Sequence, residues 1–271
     1  MKIALYYRQI DEADRQAFDE LQTILRDRHI DTVTVHDGGQ LDSCDYLFSI
    51  GGDGTLLSSV QFVRPDAPEA FPPILGINFG HLGFLTTVGK ENLHRMVEEL
   101  LDGRFSIEER SLLHLSPLTS HLSPSVALNE VFVHRAEEAS LLRTEVYVDN
   151  QYVATYAGDG VIVATPTGST AYSLSCGGPI LTPDSRCLAI TPISAHTLTL
   201  RPIIVPDTAV IRLHVCDDGF LGIDSRRTTL DGDTDLLLSR APFTIRLVRM
   251  NTQNFFSAIR DKLMWGTEAR G

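Results

Sequence analysis

The chain has 271 residues, 43% hydrophobic and 21% charged, with a formal net charge of −12. This is ordinary for a soluble globular chain of one large domain or two modest ones, and its acidity argues against a nucleic-acid or anionic-membrane partner. An anionic small substrate stays open, because a local field can oppose the global one.

Four scattered cysteines, Cys44, Cys176, Cys187 and Cys216, show no C-x-x-C pairing, which favours packed, reduced thiols in a cytoplasmic protein over a disulfide or zinc framework. The opening Met1–Arg8 run is too short for a signal peptide, and no stretch reaches about 18 apolar residues, so no membrane span is expected. Ile3 to Tyr7 predicts a first strand. From Asp11 to His29, Ala13, Ala17, Leu21, Ile24 and Leu25 recur at three- and four-residue spacing, an amphipathic helix. Thr32–Val35 alternates like a strand, and Tyr46–Ile50 is a third, followed by a glycine loop and a helix over Thr55–Val63. Pro65, Pro68, Pro72 and Pro73 break the chain before a fourth strand at Ile74–Ile77. Asn92–Leu101 reads as a helix closed by Asp102-Gly103. Strands alternating with helices predict an α/β domain over residues 1–104, a parallel sheet with helices on both faces.

After Phe105 the pattern changes to short strands at Val126–His134, Leu142–Asp149, Gln151–Tyr156, Val161–Thr165, Ala209–Val215, Phe220–Ile223 and Phe243–Val248. Asp149-Asn150 reads as a hairpin turn. Residues 105–254 are therefore expected to form an all-β, sandwich-like domain. Phe255–Trp265 returns to helical spacing and is free to pack back on the first domain.

Four stretches carry possible chemistry. The first is Gly51-Gly52-Asp53-Gly54-Thr55, straight after a buried-type strand. Glycines permit positive φ and close approach of a ligand, and a following helix would aim free N–H groups and partial positive charge at a phosphate. Asp53 is then a general base or metal partner; the plain alternative is an Asp-Gly turn without chemistry. The loop is neither a P-loop nor Gly-x-Gly-x-x-Gly. Only three lysines exist, Lys2, Lys90 and Lys262, so backbone dipoles, arginines or a metal must manage any nucleotide charge. The second stretch is Gly158-Asp159-Gly160 and, beyond it, Thr165-Pro166-Thr167-Gly168-Ser169-Thr170-Ala171-Tyr172-Ser173-Leu174-Ser175, stopped by Gly177-Gly178-Pro179. It offers hydroxyl donors, room for a flat ring at Ala171 and an aromatic face at Tyr172, or is simply a capped helix. The third is Asn129-Glu130, two polar residues in an apolar strand. They reach one ligand together only at a strand end or bulge; the alternative is a solvated pair on an edge strand. The fourth is Gly76–Leu85, where glycines around Phe84 fit either a ligand or a packing turn. His81 and His196 are given no proton-transfer role, and Glu137-Glu138 reads as a solvated turn.

With these stretches in this order, and with the closing Phe255-Phe256, Lys262-Leu263 and Trp265-Gly266, the chain resembles NAD kinases over most of its length. The glycine loop is shared with lipid kinases of the diacylglycerol and sphingosine type; the Thr165–Ser175 segment is more specific. The resemblance implies ATP-dependent phosphorylation of the 2′-hydroxyl of the adenosine ribose of NAD. It also implies NAD bound between an α/β and a β-sandwich domain, and a homodimer or homotetramer. By position, Asp53 matches the proton acceptor and Gly54 its neighbour, within a phosphate loop of Gly51, Gly52, Gly54 and Thr55. Asn129 and Glu130 match the pair on the adenosine and ribose hydroxyls, and Asp159 a nicotinamide-side acid. Thr170, Ala171, Tyr172, Ser173, Leu174 and Ser175 match the adenosine segment, with Thr167 and Phe84 beside the adenine and Ser194 a further backbone contact. A divalent cation, Mg²⁺ by preference, is implied on the ATP phosphates, with no metal ligand assigned to a side chain. Two departures stand out: Ala157 where the family often has a basic residue, and Arg226 where many members have Gln. A lipid kinase and a non-catalytic dinucleotide sensor remain the alternatives.

Overall fold

The computed structural model describes residues 1–36, 41–80, 83–116, 125–137, 139–250 and 254–265. The elements begin with β1 (Lys2–Tyr6), α1 (Glu12–Asp27), β2 (Asp31–Val35), β3 (Tyr46–Ile50), α2 (Asp53–Val60), β4 (Ile74–Asn78), β5 (Val88–Gly89), α3 (Leu93–Leu101) and β6 (Phe105–Ser116). There follow β7 (Val126–Ala127), β8 (Glu130–Arg135), β9 (Leu142–Val148), β10 (Gln151–Gly158), β11 (Gly160–Ala164), α4 (Tyr172–Ser175), β12 (Cys187–Ile193) and β13 (Ile203–Pro206). The chain closes with β14 (Ile211–Val215), β15 (Gly219–Ile223), β16 (Arg226–Leu230), β17 (Thr234–Met250) and α5 (Phe255–Leu263). It divides into two compact units, Met1–Glu109 with Ile245–Gly271, and Arg110–Thr244. The chain leaves the first unit within β6 and returns to it within β17.

In the first unit, β2, β1, β3 and β4 lie in that order, all parallel. The last part of β17 adds in parallel, with Leu247 opposite Ile74. Period-two alternation sends Ile3, Leu5, Phe48, Ile50, Leu75 and Ile77 into one core with α1 and α3. On the other face α2 lies close over β4: a Cβ at Gly76 would meet Leu56 Cδ1 at 3.0 Å. Helices therefore cover both faces, as in an α/β sheet. From β1 the chain steps to β2 on one side and then to β3 on the other. Such a switch point opens a crevice at the carboxyl ends of the strands, where ligands of open α/β sheets bind. The loop after β3 leaves the sheet at that end.

Strands β1 to β4 fall within a residue or two of expectation, but α2 starts at Asp53 instead of Thr55 and ends at Val60 instead of Val63. Gly52 is its extended N-cap, and its carbonyl accepts from Thr55 N (2.9 Å) and Leu56 N (3.3 Å). Asp53 is thus the first helical residue, where a carboxylate complements the helix dipole.

In the second unit, β13, β12, β11, β8, β15 and β16 form an antiparallel sheet. A second antiparallel array runs β10, β9, β14 and the start of β17. Val131, Val133, Val161, Val163, Leu221 and Ile223 of the first meet Leu142, Val146, Ile211, Leu213, Leu236 and Leu238 of the second in one core. This is a sandwich. Asp149 and Asn150 turn the β9–β10 hairpin with φ of 48° and 64°, the left-handed pair that a two-residue type I′ turn needs. Five strands were not expected from the sequence, β5, β6, β12, β13 and β16, and β17 begins nine residues before the expected strand at Phe243. Among the described residues no helix is long and apolar enough to cross a membrane.

Candidate functional site

In the first unit, the chain leaves β3 through Gly51, whose φ of 142° suits glycine and whose N–H donates to Ile77 O at 2.9 Å. A Cβ there would strike Thr55 Oγ1. This turn points Asp53 at the segment between β4 and β5. Phe84 N donates to Asp53 Oδ2 at 2.7 Å, while Leu85 N (3.2 Å), Thr86 N (3.0 Å) and Thr86 Oγ1 (2.9 Å) donate to Oδ1. Thr86 Oγ1 in turn accepts from Asn78 Nδ2 at 2.9 Å and Gly83 N at 3.1 Å. A carboxylate held by four donors is fixed in place. Among the described residues Oδ2 has one of these donors and Oδ1 three, so Oδ2 keeps the greater room to accept a further hydrogen bond. Gly83 has to be glycine, because a Cβ would overlap the Asp53 carboxylate. Phe84, half-buried, faces Phe255 of α5 at 6.5 Å between centroids, and Lys262 Nζ lies 5.1 Å from its ring. His81 lies outside the described residues, as do Glu138 and Gly266.

In the second unit, Asn129 and Glu130 sit where the chain enters β8. That is the strand end at which two successive side chains can serve one ligand. Asn129 and Glu130 are only 7% and 6% exposed, on a strand flanked by β11 and β15, so they are not a solvated edge pair. Asn129 Oδ1 and Glu130 Oε2 are buried without a hydrogen-bond partner among the described residues. Buried polar atoms are rarely left so, and this amide oxygen and this one carboxyl oxygen can both still take part in a hydrogen bond.

Asp224, which the sequence reading did not assign to the site, organises this corner. It follows β15 with φ of 50° and accepts from Leu128 N (2.8 Å), Asn129 N (2.8 Å) and Glu130 N (3.1 Å). Burial pushes its carboxyl up to about 6 against the pull of those N–H groups. Burial first, and then the Asp224 charge, push Glu130 up to about 8, against one backbone N–H from Tyr172. The two acids titrate as a pair. Three N–H donors stabilise charge on Asp224, so near neutrality Asp224 is the ionised member and Glu130 the neutral acid.

The Thr165–Ser175 segment rides on this corner. Thr165 N donates to Asn129 O at 2.9 Å and Thr165 Oγ1 to Leu128 O at 2.5 Å. Residues 167–170 form a 3-10 turn, and Tyr172–Ser175 a single helical turn. Thr167 Oγ1 accepts from the buried Arg110 at 3.1 Å. Thr170, Ala171, Tyr172 and Leu174 are half-buried and Ser175 is exposed. Ser173 is fully buried, its Oγ 2.9 Å from Thr191 Oγ1, so that hydroxyl serves the core. The Tyr172 ring packs edge-on against Phe132 at 5.5 Å.

Asp159 pairs with Arg135, Nε to Oδ1 at 2.6 Å. That hydrogen bond, with help from Ser194, holds the Asp159 carboxyl below the usual range. Arg135 thus brings a cation to the acid that Ala157 does not provide. Arg226 donates to Val126 O at 2.9 Å, and exposed Ser194 takes φ of 46°. His196 lies exposed nearby, its N–H donating to Ala157 O. Arg135 was not singled out because it sits in no glycine- or hydroxyl-rich stretch, and Asp224 entered the sequence reading only as the acid two residues before the Arg226 departure, with no role in the site. Among the described residues no group of three or more His, Cys, Asp or Glu side chains is placed to hold a metal ion.

The chain matches known proteins over most of its length. A family model described as the ATP-NAD kinase N-terminal domain matches residues 7–105, and one described as the ATP-NAD kinase C-terminal domain matches residues 128–249. The NAD kinase of Christiangramia forsetii is 42% identical over 239 residues, 84% of this chain and 79% of that protein. The NAD kinase of Porphyromonas gingivalis is 43% identical over 244 residues, covering 89% and 81%. The solved NAD kinase from Archaeoglobus fulgidus in complex with ATP superposes with a TM-score of 0.82 at 25% identity, over 96% of this chain and 99% of that one. Yeast NADH kinase complexed with NADH shares the fold, with a TM-score of 0.84 at 23% identity over 98% and 88%.

Proposed function

Because the chain belongs to the ATP-NAD kinase family, we propose that it transfers the γ-phosphoryl group of ATP to the 2′-hydroxyl of the adenosine ribose of NAD, giving NADP and ADP. The observation that carries the mechanism is the Asp53 carboxylate, locked by four donors at the switch point of the parallel sheet. A ribose hydroxyl is a poor nucleophile. As its oxygen bonds to phosphorus and the bond to the β-phosphate oxygen breaks, its proton passes to Asp53 Oδ2. General-base help of this kind is worth about 10²–10⁴-fold, or on the order of 3–5 kcal/mol of barrier. The remainder comes from alignment and charge neutralisation.

In this reading the empty atoms Asn129 Oδ1 and Glu130 Oε2 take the adenosine and ribose hydroxyls. A neutral Glu130 donates to the ligand without repelling its diphosphate. Thr167, Thr170–Ser175, Ser194 and Phe84 line the adenosine end, with Ser173 acting through its backbone. Asp159 faces the nicotinamide end beside Arg135. Gly51, Gly52, Gly54 and Thr55 offer backbone donors to the ATP phosphates. The divalent ion, Mg²⁺ by preference, enters as part of the substrate on those phosphates. A cytoplasmic homodimer or homotetramer belongs to the same proposal, supported by four cysteines that form no disulfide among the described residues and by exposed Tyr152 and Val153 on strand β10; light scattering tests the assembly.

The function is tested by incubating purified protein with NAD, ATP and Mg²⁺ and reading NADP with a specific dehydrogenase. NADP accumulation is expected. Binding of NAD with no NADP would make the chain a sensor, and label transferred from ATP to diacylglycerol or sphingosine but not to NAD would make it a lipid kinase.

A further inference from the structure

The donors that hold Asp53 are themselves held. Arg249 of β17 is almost buried, its side chain 14% exposed. Its Nε donates to Glu108 Oε2 of β6 at 2.6 Å. Its Nη1 donates to Leu85 O at 3.2 Å and its Nη2 to Phe84 O at 3.3 Å. Those carbonyls share peptide planes with the next N–H groups: Phe84 C=O with Leu85 N–H, and Leu85 C=O with Thr86 N–H. Both N–H groups donate to Asp53 Oδ1. One guanidinium thus grips the oxygen ends of the two peptide groups whose hydrogen ends grip the base. A charged donor on a carbonyl polarises the peptide and strengthens its N–H as a donor. All of these residues belong to one compact unit.

We propose that Arg249, clamped by Glu108, is a positioning residue for Asp53, orienting its carboxylate through the Phe84–Leu85 and Leu85–Thr86 peptide groups. The inference rests on the general-base reading of Asp53 and names what sets that base in place. A planar fork is needed, since a lysine ammonium cannot bond Glu108 and span two carbonyls in that geometry.

The test is a set of variants of the full chain. Arg249→Met is expected to lower kcat about 10- to 100-fold with KM for NAD within about twofold, because a base misplaced by about 1 Å loses rate and not ground-state binding. Arg249→Lys recovers part of that loss. Amide hydrogen exchange at Leu85 and Thr86 should quicken by about tenfold or more in Arg249→Met, as their acceptor geometry loosens. Should Arg249→Met not fold, Glu108 decides. Glu108→Gln, which keeps an acceptor for Nε, stays within about threefold of the parent kcat, while Glu108→Ala falls about tenfold. An unchanged kcat in Arg249→Met, a loss carried by KM, unchanged exchange at Leu85 and Thr86, or Gln and Ala behaving alike at position 108 would overturn the proposal. Exchange is read on the protein without turnover, so the clamp is decided even if Asp53→Asn proves fully active, a result that would remove the general-base role alone.

Discussion

Gly83→Ala puts the geometry of the base to the test without touching any group that performs chemistry. Gly83 lies against the Asp53 carboxylate so closely that a Cβ would overlap both Oδ1 and Cγ. The backbone cannot yield easily, since Gly83 N donates to Thr86 O at 3.2 Å and to Thr86 Oγ1 at 3.1 Å. The carboxylate has to swing away, and it takes with it the bonds from Leu85 N, Thr86 N and Thr86 Oγ1 to Oδ1. A shift on the order of 1 Å in a reacting group costs about 10²-fold in rate, near 2.7 kcal/mol of barrier at about 1.4 kcal/mol per tenfold. Hydrogen bonds to a charged group are worth about 1.5–3 kcal/mol each, so thermal stability falls as well. Initial-rate kinetics with NAD and Mg²⁺-ATP, beside a melting curve, separates the two effects. The expected outcome is a folded variant with kcat down about 10²-fold and KM for NAD nearly unchanged. A folded Gly83→Ala protein with kcat within about threefold of the parent would refute the claim that Asp53 must sit where the 83–86 turn holds it.

The Glu130–Asp224 pair sets a pH signature. Glu130 is raised to about 8 by burial and by Asp224, so between the ordinary carboxylate range and about 8 the folded chain holds a proton that the unfolded chain releases. Stability then falls as pH rises through that window, by several kcal/mol at most at about 1.4 kcal/mol per pKa unit. Glu130→Gln removes this slope and leaves the smaller one from Asp224 below about 6, so its melting temperature should gain on the parent as pH increases; parallel curves would contradict the assignment. Ser173→Ala loses a fully buried hydroxyl that pairs with Thr191, and should cost about 1–3 kcal/mol of stability with KM for NAD almost unmoved, read by urea unfolding and kinetics together.

Much of this was legible in the sequence because each unit's period is strong. Tyr46–Ile50 followed by three glycines around one acid reads as strand and turn, and the structure moves the helix to start at Asp53 itself and to end at Val60. Asp149-Asn150 states its turn type. Other parts were hidden by residues that argue against their own setting. Pro192 interrupts β12 and Pro242 lies inside β17, and proline is normally excluded from a strand interior. Arg226 and Arg227 disguise β16 as a loop. The residues that hold the site were harder still. Asp224 reaches Asn129 across 95 positions, and Arg249 reaches Phe84 across 165. No local pattern announces such pairings, since they exist only once the sheets are assembled.

The account stands or falls on the turnover of Asp53→Asn, measured under single-turnover conditions with NAD binding followed by calorimetry on the same preparation. Unchanged affinity for NAD with phosphoryl transfer slowed about 10²–10⁴-fold is the expected result. Transfer at close to the parent rate would mean that some other group takes the 2′ proton.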